Sequence, residues 1–427
     1  MIHISKKDEC CGCTACAERC PRQCIRMQSD DEGFLYPVVD KEECIHCNLC
    51  EKVCPILNSQ TPVDILQVSA AKHIDENVRG KSSSGGVFSA IANDVIKQGG
   101  VVFGAKFDEN WNVVHSYAEN MDEVAAFRGS KYVQSSIGEC YKDAEQFLKN
   151  GRIVLFTGTP CQIAGLKKFL RKEYENLFTI DFICHGVPSP YVWKKYVETL
   201  HPKGADSGNT VSSSLNNRSV ITGLSFRDKA AGWRKYGFSA EKGVTKGNSH
   251  NSVFPLNHTQ KYKYEILQSN IFLRGFLQNL YLRPSCYHCH FRNCKSGSDM
   301  TIADFWGIQK LLPDFDDDKG CSLIIEKTQR IQNFLQKDLN VRNISSEDYS
   351  LAFSGNSALF KDASPSIHRN AFWERFKANP EDVCFHIQKC TLFPKTTEWR
   401  HDLIILLMKF HVYGIVKAMM NLIKKRM

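Results

Sequence analysis

Two cysteine runs near the start of the chain restrict it more than any other feature. Cys10, Cys13, Cys16 and Cys20, followed by Pro21, keep the spacing Cys-x-x-Cys-x-x-Cys-x-x-x-Cys-Pro, and Cys44, Cys47, Cys50 and Cys54, followed by Pro55, repeat it. In such a run three thiolates surround one face of a four-iron cubane, and the fourth reaches the cluster of the other run. The spacing therefore assigns Cys10, Cys13, Cys16 and Cys54 to one [4Fe-4S] cluster and Cys44, Cys47, Cys50 and Cys20 to a second. Zinc modules instead pair two Cys-x-x-Cys units across a longer loop. Cys11 and Cys24 lie outside the spacing and read as small packing residues.

Ten of the 19 cysteines precede residue 55 and the next is Cys140, so a domain boundary is expected near residue 60. The opening stretch MIHISKKDECCGC has no apolar core ahead of a cleavage site, which points to the cytoplasm. In that reducing compartment an odd, large cysteine count speaks for metal or redox chemistry over disulfides. With 427 residues, 42% hydrophobic and 24% charged, the chain suits two or three globular domains, and disordered, collagen-like and polytopic membrane classes are excluded.

The net charge is +9, yet residues 403–427 hold Lys409, Lys417, Lys424, Lys425 and Arg426 with no acid. One basic tail, rather than a nucleic-acid-binding surface, accounts for much of the excess. Wound as a helix, the tail gathers its lysines opposite its Leu, Ile, Met and Phe residues. Lysines interrupt it too often to span a bilayer, but it could lie as a peripheral contact on the inner face of a membrane, dock a partner, or fold back on the core.

Between these ends, apolar runs alternate with amphipathic stretches. SSGGVFSAIANDVIKQGG reads as a glycine-opened helix feeding the extended runs VVFGAKF and WNVVHSYA; RIVLFTG leads into CQIAGLKKFLRKEY, and LFTIDFI into SPYVWKKYVETL. This alternation predicts a mixed or parallel sheet covered by helices. The Gly/Ser/Asn-rich stretches 203–217 and 243–251 read as loops or insertions. The expected class is α+β: a bacterial-type dicluster ferredoxin domain followed by a mixed α/β domain. The expected segments are 1–60 (ferredoxin-like), 61–360 (mixed α/β) and 361–427 (helical extension with the basic tail).

Six ordered blocks resemble the coenzyme F420 hydrogenase/dehydrogenase beta-subunit family. They are KSSSGGVFSAIA (81–92), RGSKYVQS (128–135), FTGTPCQIAGL (156–166), DFICHGVPSP (181–190), SFRDKAAGW (225–233) and RPSCYHC with SDMTIADFWGI (283–308). A weaker extension runs through DDDKGCSLII (316–325). Members of this family are iron-sulfur flavoproteins, so the resemblance implies FAD, held by Ser83, Ser84, Gly85 and Gly86 with Gly129, Ser130 and Lys131. Read without the family, a Ser-Ser-Gly-Gly turn opening a helix fits a pyrophosphate and equally a plain capped helix.

Cys161, Cys184, Cys286 and Cys289 all fall within these blocks. From spacing alone they are either a third set of cluster thiolates at the carboxyl edge of the sheet, or two packing cysteines beside a zinc-binding pair helped by His288, His290 or Cys294. The resemblance implies the third [4Fe-4S] cluster, next to the flavin. Cys294 and Cys321 are extra thiols that leave ligand exchange open, and Asp304 with Trp306 read either as pocket residues or as a buried aromatic with its polar neighbour.

Clusters move single electrons and hydride donors move two, so a chain with both needs a flavin between them. The expected function is an FAD- and [4Fe-4S]-dependent oxidoreductase. It would link a ferredoxin-type partner protein to a small two-electron substrate, an F420-like coenzyme or a compound of surface-polysaccharide metabolism. The alternative is an electron-relay subunit of a larger redox complex, and a zinc-stabilised binding module requires both runs to be misread. No catalytic side chain has a signature, because the flavin ring does that chemistry.

Overall fold

The computed structural model describes residues 1–200, 218–245, 260–335 and 337–392, together with Leu403 and Leu407. The stretch 203–217 and nearly all of the basic tail lie outside the described residues, whereas Gly243 to Thr245 close a strand. The chain forms two compact units, one from Met1–Lys194 and Tyr281–Arg369, the other from Lys195–Leu280 and Asn370–Met427.

Among the described residues thirteen strands follow in chain order. A hairpin comes first, β1 (Ile25–Ser29) and β2 (Leu35–Val39). Then come β3 (Gln67–His73), β4 (Val101–Phe107), β5 (Val113–Ala118), β6 (Val154–Gly158) and β7 (Leu177–Phe182). In the second unit β8 (Arg218–Asp228), β9 (Gly237–Thr245) and β10 (Gln260–Ile266) form an antiparallel sheet of order β10-β9-β8. Phe226, Phe238, Phe272 and Tyr196 pack together as its aromatic core. The chain then completes the first unit with β11 (Met300–Asp304), β12 (Ser322–Glu326) and β13 (Leu339–Asn343).

The large sheet of the first unit has eight strands in the order β13-β3-β12-β11-β7-β6-β4-β5. Strands β4, β6, β7 and β11 are parallel, and antiparallel strands flank them on both sides. The runs VVFGAKF, RIVLFTG and LFTIDFI supply three of the four parallel strands, as their apolar character predicts. Side chains alternate across the sheet with period two. Val101, Phe103, Val154 and Phe156 face one core, and Val102 and Leu155 face the other.

The helix Val87–Lys97 covers the second face through Val87, Ile91 and Val95. The first face carries the helix Pro160–Leu170 through Ile163, Leu166 and Phe169, and into that same core come Cys11, Cys13, Ala15 and Val53 of the N-terminal segment. Gly165 makes the approach: a Cβ there would stand 2.8 Å from Cys13 Cβ and 3.0 Å from its Sγ. The N-terminal segment with its two-stranded sheet precedes the mixed eight-stranded sheet, in the expected order. Among the described residues no helix is long and apolar enough to cross a membrane.

Candidate functional site

The two cysteine runs share one backbone path. Gly12 and Thr14 have φ of 70° and 66°, and His46 and Asn48, at the matching positions of the second run, have 52° and 56°. Left-handed residues on both sides of the second cysteine curl each loop, which turns main-chain N–H groups toward the sulfur side. The Gly12 N–H donates to Cys10 Sγ at 3.3 Å and the Ile2 N–H to Cys50 Sγ at 3.2 Å. A helical turn follows in each run, Ala15–Glu18 and Leu49–Lys52, and carries the third cysteine inward.

The cysteines of the two runs gather in two groups. Burial pushes the Cys16 thiol up, and the charges of Cys10 and Cys54 push it further; burial also raises Cys54, with Cys10 adding to it. Cys20, Cys44, Cys47 and Cys50 line a second cavity of about 340 Å³, its open mouth included. Cys24 lines it too, packed with Ile2 and Ile25, its sulfur 3.4 Å from that of Cys20. Buried thiols that oppose one another's ionisation are costly as bare anions, and a cationic iron-sulfur core removes that cost by coordinating them.

Cys161, Cys184, Cys286 and Cys289 also come together. All four line one cavity of about 690 Å³ in the first unit, with Phe182, Arg283 and Arg292 on its wall. Cys161 opens the helix that follows β6, Cys184 follows the end of β7, and Cys286 and Cys289 come from the turn after Leu282. Burial raises the Cys184 thiol, then Cys286, Cys161 and Cys289 raise it further; burial likewise pushes Cys286 up to about 12. The Val187 N–H donates to Cys286 Sγ at 3.4 Å, so this set has an amide–sulfur bond like the other two. Gly186, at φ of 153°, lets the loop pass, since a Cβ would meet Cys286 Cβ at 3.3 Å. Among the described residues no His, Cys, Asp and Glu side chains gather tightly enough to hold a single metal ion.

Cys11 and Cys294 complete six cysteines on this cavity. Cys11 shares a buried core with Cys13, and Cys161 packs against that core, which makes Cys11 a junction between the N-terminal runs and the central set. Cys294 instead feels Lys327 and Asp181, a buried ion pair with Nζ and Oδ1 3.7 Å apart. Cys321 lies away from the cavity, its sulfur 3.7 Å from the Ala71 carbonyl. His290 is on the cavity wall, whereas His288, Asp304 and Trp306 are not among its lining residues.

The segments of the expected flavin contacts meet at one point. The N–H and Oγ–H of Ser130 both donate to Ser83 Oγ, at 2.7 and 2.9 Å. Gly86, at φ of 92°, opens the helix Val87–Lys97. The neighbours Ser84 and Gly85 are tied into the sheet: Ser84 Oγ donates to the Cys321 carbonyl at 2.7 Å and the Gly85 N–H to Ser322 Oγ at 3.0 Å. A Cβ on Gly85 would fall 2.2 Å from the Ala71 carbonyl oxygen, so close strand packing demands glycine there. Lys131 Nζ donates to the carbonyls of Phe127, Arg128 and Gly129 at 3.3, 3.0 and 3.2 Å, and burial pushes its pKa down to about 7. A phosphate would supply the anion that this collar of neutral acceptors does not.

Several residues at the site have no signature in the sequence. Thr159 Oγ1 lies 3.1 Å from Cys161 Sγ and 3.0 Å from Gln162 Oε1, while Gln162 Nε2 donates to Ser135 Oγ at 2.9 Å. His115 Nδ1 is 2.9 Å from that hydroxyl and its Nε2 is 3.0 Å from the Thr157 carbonyl. The carbonyl can only accept, which places the ring proton on Nε2. Burial, with Lys131 adding to it, pushes His115 down to about 4 and keeps it neutral. A buried polar chain thus runs from the Cys161 side to the neighbourhood of Lys131. Its members sit in separate segments of the chain, and only the fold joins them.

The site defines an iron-sulfur redox protein. Residues 9–57 match the model of a 4Fe-4S dicluster domain. Residues 68–141 match the N-terminal model of the coenzyme F420 hydrogenase/dehydrogenase beta subunit, and residues 151–350 match its C-terminal model, two spans that together cover more than half of the chain. The chain belongs to the coenzyme F420 hydrogenase/dehydrogenase beta-subunit family, as the sequence blocks indicate. Among solved structures it is similar to a chain of the F420-reducing [NiFe] hydrogenase complex from Methanosarcina barkeri, with 14% identity, coverage of 74% of this chain and 94% of that chain, and a TM-score of 0.42. No curated protein matches the chain.

Proposed function

We propose that this protein is an FAD- and [4Fe-4S]-dependent oxidoreductase in which electrons pass between two N-terminal clusters, a third cluster at Cys161, Cys184, Cys286 and Cys289, and FAD. The observation that carries the reading is the shared cavity: the four central cysteines line it, and so does Cys11 from the first N-terminal run. Residues 1–60 would serve as the ferredoxin-like module and meet a ferredoxin-type partner, 61–360 as the flavin and iron-sulfur module, and 361–427 as a helical extension. Bound FAD would exchange single electrons with a cluster and a hydride, two electrons with one proton, with the substrate.

The protein's own groups have defined duties in this reading. The amides of Gly12, Ile2 and Val187 donate to ligand sulfurs, which lowers the cost of the charge a cluster gains on reduction. Ser83 and Ser130 hold the two FAD-side segments together, and Lys131 neutralises a phosphate of the cofactor. The substrate is a small two-electron acceptor, an F420-like coenzyme or a compound of surface-polysaccharide metabolism. Anaerobic purification with iron, acid-labile sulfide and flavin analysis tests the assignment. About twelve irons and one FAD per chain are expected. If no flavin is retained after gentle purification and FAD reconstitution, the protein is an electron-relay subunit and the residues at Ser83 to Gly86 are structural turns.

A further inference from the structure

Arg283 is 1% exposed, and its charged group has only neutral acceptors. Its Nε donates to the Cys10 carbonyl at 2.8 Å, one terminal nitrogen to Gln134 Oε1 at 2.9 Å, and the other to the Leu35 carbonyl at 2.9 Å. The guanidinium lies over the Tyr36 ring, 4.4 Å from its centroid. The other buried arginines of the first unit are paired with acids, Arg79 with Asp317 and Arg292 with Asp362, and so is the half-buried Arg369, with Glu32. A buried cation without a carboxylate is strongly disfavoured unless another anion stands nearby.

The position of Arg283 shows where that anion would be. On one side its Nε holds the Cys10 carbonyl, and Gln134, which it also holds, donates to the Cys11 carbonyl at 3.0 Å. Gly12 closes over it, since a Cβ there would be 2.7 Å from the guanidinium nitrogen. On the other side Arg283 lines the cavity of Cys161, Cys184, Cys286 and Cys289, and its own carbonyl accepts the Cys286 N–H at 2.9 Å. The residue is therefore built into the first N-terminal cluster loop and into the central set at once. The cations lining the second N-terminal cavity are each paired with a carboxylate: the Met1 ammonium with Glu51, and exposed Arg22 with Glu43.

We infer that Arg283 is a positioning residue shared by two clusters: its charge would be balanced by the first N-terminal cluster and the third cluster together and would raise the reduction potential of both. A four-thiolate cubane carries net negative charge and gains one more on reduction, so a nearby buried cation stabilises the reduced form. The inference rests on the third cluster proposed above.

The test is a redox titration of the full chain, purified anaerobically and followed by spin resonance, with the signals assigned by C16S, C47S and C161S. In Arg283→Gln the potentials of the first and third clusters fall and that of the second stays. Arg283→Lys, which keeps the charge, stays close to the parent. Gln134→Glu, which sets a carboxylate against the intact guanidinium, lowers the same two potentials and gives the readout if Arg283→Gln loses its clusters. Unmoved potentials in Gln134→Glu, an equal fall at all three clusters, or a fall in Arg283→Lys as large as in Arg283→Gln overturns the role of Arg283. Eight irons in the parent chain removes the third cluster itself, and the inference with it, so the two failures are told apart by the iron count.

Discussion

Ser83 Oγ accepts both the main-chain N–H and the hydroxyl of Ser130, at 2.7 and 2.9 Å, across 47 residues of chain. These two hydrogen bonds to one side chain join the helix-opening loop to the segment that carries Lys131.

Ser83→Ala removes the acceptor and frees the two segments from each other. A neutral hydrogen bond contributes about 1 kcal/mol net, so losing both costs about 2 kcal/mol and FAD affinity should weaken by up to roughly 30-fold. Fluorescence titration of the flavin-depleted chain measures it, and the iron content should not change.

In the proposed role, Lys131 should make FAD binding pH-dependent. Its pKa is about 7 where burial acts alone, and a phosphate beside it raises that value, so binding takes up a proton above pH 7. Affinity should therefore fall as pH rises from about 7 toward 10, by up to about tenfold per unit. Lys131→Met should bind weakly with a flat profile over the same range. A rising profile in the parent chain would reverse the assignment.

Cys161→Ser or Cys289→Ser should each remove about four irons and stop reduction of the flavin, because loss of one thiolate opens a cubane. Cys24→Ser should leave the iron count unchanged, since that residue, although it lines the second cavity, lies outside the ligand spacing and packs with Ile2 and Ile25. Iron and acid-labile sulfide analysis of the three variants decides between ligands and fillers.

Gly85→Ala should destabilise the first unit by about 1–3 kcal/mol, because the added methyl meets the main-chain oxygen of Ala71 at 2.2 Å and that strand cannot move aside alone. Gly129→Ala meets no atom within 4 Å, so it is strained only by its φ of 82°. Thermal unfolding of the two variants should show the larger drop in midpoint for Gly85→Ala.

Much of the architecture could be read along the chain. The strands VVFGAKF, RIVLFTG and LFTIDFI are short apolar runs bounded by turn residues, a local signal that the parallel centre of the sheet preserves. Period-two alternation then places Phe103 and Phe156 on one face and Val102 and Leu155 on the other. The flanks were less legible. Strand β3 pairs with β12 and β13, partners far along the chain, and no local pattern encodes which edge a strand will join.

The pair of N-terminal cluster motifs, the apolar strands and the ordered blocks of the family are all legible along the chain. These are local properties, since a cubane spans a fixed width and a short run of chain must wrap it in one way. Tertiary structure alone decided that Cys161, Cys184, Cys286 and Cys289 line one cavity and that Cys11 reaches it from the first run. It also set the Arg283 guanidinium on the Cys10 carbonyl, 273 residues away, with neutral partners around it. A buried charge takes its meaning from what surrounds it in space, and those neighbours come from segments that only the folded sheet brings together.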